Sequence, residues 1–249
     1  LNKIKMKRTI TLLLTCVFAA SMGHAQIAYM EYVAVKNTDV AAHIAAEKNI
    51  FSKAHKEQID KGNKLGWDMW MIENNSYGDP NTTFVYVHFN KPGTTLTYNE
   101  SNLFSAHEST LHQAGYQNRI VKTGQLTLGI KASYGTKASA KPPKYLVANY
   151  MTVDLYDGAA YEAMELKYGP NYAENGQAAW GFGKVLNRFG ADQDVNYLTF
   201  DFYNSMEEIL EMRNNTASFT KAQLTQWKSM DKLRTLKNSH IMTLIASER

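Results

Sequence analysis

Two stretches of this chain repeat one another at a nearly constant offset. Tyr32-Val-Ala-Val35 returns as Tyr150-Met-Thr-Val153, 118 residues later. Trp67 returns as Trp180, and Phe84-Val-Tyr-Val-His-Phe89 as Tyr197-Leu-Thr-Phe-Asp-Phe202, both 113 residues later. The elements around these anchors recur in the same order. Ala28 to Val35 is β-prone, Thr38 to Lys61 has a helical apolar period with Thr38 or Asp39 as cap, and Gly62 ends it. Leu65 to Glu73 and Thr82 to Phe89 alternate as strands across a turn-rich NNSYGDPN segment. Tyr98 to Gly115 is predicted helical and Arg119 to Ile130 a strand. The second pass predicts strands over Tyr145–Val153, Ala179–Phe189, Val195–Tyr203 and His240–Ala246. Its helices are Gly158–Tyr168 and Ser205 to about Lys237, the latter in two pieces around Asn214-Asn215. Each pass therefore reads β-α-β-β-α-β, and the five-residue difference in offset fits a longer first helix in the first pass.

The chain divides accordingly: a leader over 1–25, a first repeat over 26–130, a linker over 131–144 and a second repeat over 145–249. The linker, KASYGTKASAKPPK, carries Pro142-Pro143 and no acidic residue. The leader has a basic start, Lys3 to Arg8, then a short apolar run from Ile10 to Ala20 and small residues at Gly23 and Ala25. That is the pattern of an export signal, too short to span a bilayer, with cleavage expected before Gln26. The rival reading is a lipoprotein acylated at Cys16, but Thr15 precedes it where a smaller residue is usual. The expected location is the periplasm or the medium.

Removal of the leader changes the chemistry. Four of the 27 basic residues lie there and no acidic one does, which leaves 23 basic against 23 acidic side chains. A balanced chain lacks the basic surplus that a nucleic-acid binder needs. The one cysteine is also in the leader, so disulfide, thiolate and iron–sulfur chemistry are excluded from the rest. Later segments are too short and too polar for stable membrane insertion.

A doubled βαββαβ unit of about 110 residues resembles the dimeric α/β-barrel superfamily of ferredoxin-like domains. The resemblance rests on element order and spacing over most of residues 28 to 246. It implies an α+β chain in which two ferredoxin-like repeats form a pseudo-dimeric barrel of antiparallel sheets. A monomer would then suffice, without excluding further dimerisation. The superfamily includes cofactor-free monooxygenases, lactone isomerases, haem-degrading enzymes and proteins without known activity, so the fold does not select a function.

The candidate site follows from strand alternation. In Thr82 to Phe89, one face carries Val85, Val87 and Phe89, the other Phe84, Tyr86 and His88. In Val195 to Tyr203, Tyr197 and Asp201 share the mixed face. The apolar face is expected under the helices and the mixed face inside the barrel. His88 and Asp201 are equivalent in the repeat, so they would face each other across one cavity as a general base and its partner carboxylate. Glu47 and Glu165 are matched on the first helices and would stand at the barrel mouth, if they are not part of an ordinary solvated face. Trp67 and Trp180 begin equivalent strands and would wall a ligand pocket or fill core.

No motif calls for a cofactor. Of seven histidines, His24 leaves with the leader, and the other six form no i, i+4 or HxH pair, so no metal site is expected. Gly181-Phe-Gly183 lies in a strand and is no phosphate cradle. Three readings stay open: a binder of a small apolar or aromatic molecule between the two sheets, a cofactor-independent monooxygenase or isomerase using His88 as base, or an interaction module without a cavity. Aromatic content of 12%, with 15 tyrosines, suits the first.

Overall fold

The computed structural model describes residues 26–73, 78–90, 115, 118–135, 140–187, 194–214 and 220–249. The leader, nearly all of the helix expected over 98–115 and part of the linker lie outside the described residues. Strand β1 (Ile27–Lys36) leads into α1 (Val40–Ala46), a π-helical turn (Glu47–Phe51) and α2 (Ser52–Asp60). Gly62, at φ 74°, ends this helical run as expected. β2 (Gly66–Ile72), β3 (Asn81–Asn90) and β4 (Ile120–Tyr134) follow. β4 runs four residues further than its apolar pattern, into the stretch read as a linker. The second pass is β5 (Tyr145–Thr152), α3 (Gly158–Tyr168), a 3-10 turn (Gly169–Asn175), β6 (Ala179–Val185), β7 (Tyr197–Tyr203), α4 (Met206–Asn214), α5 (Lys221–Met230) and β8 (Thr235–Glu248).

The helix read to Lys237 is shorter than expected. α5 begins at a capping box, in which Thr220 Oγ1 accepts from the Gln223 backbone N–H and the Gln223 side chain accepts from the Thr220 N–H. It stops at Met230, and from Thr235 the backbone pairs with β5 instead. Exposed helix formers there yield to a long strand ladder, because eight paired residues outweigh weak local propensity.

All eight strands close into one antiparallel barrel in the order β1-β3-β2-β8-β5-β7-β6-β4. The first four strands lie as β4-β1-β3-β2 and the last four as β8-β5-β7-β6. The β2–β8 and β4–β6 ladders join them. Registers also correspond: Trp67 stands opposite His88, and Trp180 opposite Asp201.

The two faces of the strands are the reverse of the sequence expectation. Met30, Val85, Val87, Leu128, Leu146, Leu198 and Met242 form the closed interior. Phe84 and Tyr86 lie on the outer side with Trp67 and Met69, packed against Val40 and Ile44 of α1. The alternation holds, but both faces of this sheet are buried, so burial alone cannot tell inside from outside. The interior is lined mainly by strand side chains with few polar partners to offer, and it takes the apolar set. The helix-covered layer offers polar helix side chains as partners, so the mixed set goes there. One phenol pair on the interior face is partnered within itself: the partly buried Tyr32 and the buried Tyr150 share a 2.9 Å hydrogen bond.

Candidate functional site

His88 and Asp201 do not meet in one cavity. Each lies on the helix side of its own half. His88 is 1% exposed, flanked by Tyr29 and Trp67 on the neighbouring strands and capped by His55 of α2. Lys64 Nζ is 2.7 Å from His88 Nδ1 and 3.2 Å from His55 Nδ1. Burial, and then the Lys64 charge, hold both imidazoles well below the usual histidine range. Tyr86 donates to Glu47 Oε1 at 3.0 Å and also bonds His43 Nε2. Glu47 is 3% exposed, so it belongs neither to a barrel mouth nor to a solvated face. The space left among Glu31, Glu47, His55, Trp67, Tyr86 and His88 is about 10 Å³, room for roughly one water.

The second half keeps the corresponding space open. There the chain leaves α3 through the 3-10 turn in place of a second helix like α2, and α5 packs over this layer through Trp227 and Met230. A cleft of about 220 Å³ remains, with Asp201, Asn149, Glu165, Trp180, Trp227 and Arg234 among its walls. Asp201 projects from β7. Its two oxygens accept from Asn149 Nδ2 and Gln177 Nε2, both at 2.8 Å. Burial pushes its carboxyl up to about 7; the Glu165 charge adds to the rise, while the Asn149 bond, Arg234 and Arg213 oppose it. Glu165, 3% exposed, is also raised by burial and accepts from Arg234 Nη1 at 3.0 Å. Trp180 is held flat by stacking on Tyr134 and Phe182. Gly169 makes room for its ring, since a Cβ there would stand 2.4 Å from it.

The residues that the repeat pairs therefore part company in the fold. Trp67, Phe84, Tyr86, Glu47 and His88 fill the first half. Trp180, Glu165 and Asp201 line the cleft in the second. Tyr197 lies outside the cleft lining, donating to Glu162 Oε1 at 2.8 Å and stacked on Phe182. Sequence reasoning missed Asn149, Gln177 and Arg234, and in the first half Lys64 and His55. Carrying the same offsets further pairs Glu31 with Asn149, His43 with Tyr161 and Tyr86 with Thr199, which would have found Asn149. Arg234 precedes β8 and has no such signal. The barrel interior holds a separate apolar cavity of about 150 Å³. Among the described residues no group of three or more His, Cys, Asp or Glu could hold a metal ion, and no helix is long and apolar enough to cross a membrane.

No family model matches the sequence, and no curated protein matches it. Solved structures do. A candidate monooxygenase from Fusobacterium nucleatum superposes with a TM-score of 0.61 at 13% identity, over 90% of this chain and 94% of that one. The shared property is the fold. A candidate monooxygenase from Lactobacillus acidophilus gives 0.59 at 10% identity, over 90% and 96%. An anthrone oxidase-like protein gives 0.53 at 10% identity, over 90% and 92%. What these structures share with this chain is the α+β fold with its closed antiparallel barrel.

Proposed function

We propose that this is an exported protein whose second-half cleft binds a small aromatic molecule with an acidic C–H or O–H, and that Asp201 removes that proton without a bound cofactor. The observation that carries the reading is Asp201 itself: a carboxyl raised to about 7, at the wall of a 220 Å³ cleft, beside two tryptophans. A general base works best with a pKa near the working pH. Buried titratable groups in a cleft are where such tuning is usually found. Trp180 and Trp227 offer flat apolar surface, and the Asn149 and Gln177 amides fix the carboxyl orientation. Arg234, which also pairs with Glu165, lends positive potential to a developing oxyanion. The structures with the same fold include one named for anthrone oxidation and two named as monooxygenases, which supports proton abstraction from an acidic aromatic as the chemistry. His88 is the weaker candidate for the base, since about 10 Å³ beside it admits no substrate.

The test uses anthrone, whose methylene is acidified by two rings and a conjugated carbonyl. Oxygen uptake should exceed the protein-free blank and rise with pH through about 7, as Asp201 becomes the carboxylate. Asp201→Asn should lower it by about 10²-fold or more. Uptake equal to the blank, or an unaffected Asp201→Asn, overturns the reading.

A further inference from the structure

The barrel interior is a second compartment, and its opening is written into β6. The outward positions of this strand are Trp180 and Phe182, which pack with Tyr161 and Tyr197. The inward positions are Gly181 and Gly183, so on this side the barrel wall has bare backbone. The space in front of Gly181 is real: a Cβ built there would meet nothing closer than the Phe200 ring at 3.5 Å, an ordinary contact. Neither glycine has a positive φ, so neither is required by backbone conformation. Between this wall and Trp70, Val85, Val87 and Phe89 lies the cavity of about 150 Å³. A cavity of about 150 Å³ with wholly apolar walls stays dry and accepts benzene; here the walls are apolar apart from Gln26, Asp68, Ser133 and Arg249.

The polar end of the cavity is mostly engaged with itself. Asp68 lines it, yet its oxygens already accept from both Arg249 Nη atoms at 2.8 Å and from Ser247 Oγ at 2.7 Å. Of these groups only Arg249 Nε is left without a partner among the described residues, so a charged ligand would lose more hydration than this one donor returns. We infer that the barrel interior is a binding site for a neutral hydrocarbon-like molecule about the size of one aromatic ring, kept open by Gly181. The inference is independent of the chemistry assigned to the second-half cleft.

The four tryptophans report separately on the compartments: Trp70 lines the barrel cavity, Trp180 and Trp227 the cleft, and Trp67 the filled first half. Toluene is the probe, followed through the indole N–H signals by NMR. The Trp70 signal should move saturably, and Gly181→Val should weaken that response at least tenfold while the spectrum stays dispersed. Should the valine variant fail to fold, Gly181→Ala is expected to weaken it about threefold. A Trp70 signal that never saturates, a response confined to Trp180 and Trp227, or undiminished toluene binding in the folded glycine variants would overturn the inference.

Discussion

Asp201 and Glu165 are both raised by burial, and the consequences differ because only Glu165 is bonded to an arginine. For Asp201 the folded value, about 7, lies above the ordinary value of about 3.9. A raised acid contributes fully below the unfolded pKa and loses that contribution as pH climbs to the folded one. Wild-type stability should therefore fall between about pH 4 and pH 7 on account of this group. Asp201→Asn should gain about 1–3 kcal/mol over wild type at pH 8 and nothing at pH 4, read from urea denaturation at both pH values. Arg234→Met leaves the buried Glu165 with Tyr161 and without its cation. It should cost about 2–4 kcal/mol, and adding Glu165→Met should recover most of it. An additive double variant would mean the pair does not act as one.

Elements show where sequence reading worked and where it stopped. Glycines, caps and period 2 placed most strands and the helix Gly158–Tyr168 within a few residues. The inside and outside of β3 and β7 came out reversed, because polarity was used to decide between two faces that are both dry. Helix partners, which the period of a single strand cannot reveal, settle that choice. The end of α5 was misplaced for a similar reason: the residues from Thr235 pair with β5, a contact nearly ninety positions away in sequence. The candidate site was half legible, since repeated offsets located Asp201, Glu165 and Trp180 but not the closing of the first cleft by Lys64 and α2. One turn carries a direct test. Gly169→Ala would push a Cβ into Trp180, which stacking holds in place. The variant should lose about 1–3 kcal/mol and shift tryptophan emission; an unchanged melting curve and spectrum would show that the ring is free to move.

At the scale of the whole molecule, closure depends on two ladders, β2–β8 and β4–β6, that join the halves. A chain cut to residues 26–135 would expose β2 and β4 as long unpaired edges. Light scattering should find it as a dimer or an aggregate, since such edges template pairing. A stable monomeric half would contradict this view of the barrel. Export is tested by mass spectrometry of secreted protein, which should begin at Gln26; a chain starting at an acylated Cys16 would replace that account with a membrane-anchored one. We place the proposed chemistry in the second-half cleft, neither around His88 nor between the sheets. Its most direct test is an NMR titration with 1-naphthol, an aromatic with an acidic O–H, read at the four indole N–H signals. Saturable shifts are expected at Trp180 and Trp227, lost or weakened in Asp201→Asn, with Trp67 unmoved. Stationary Trp180 and Trp227 signals at saturating probe would contradict this placement.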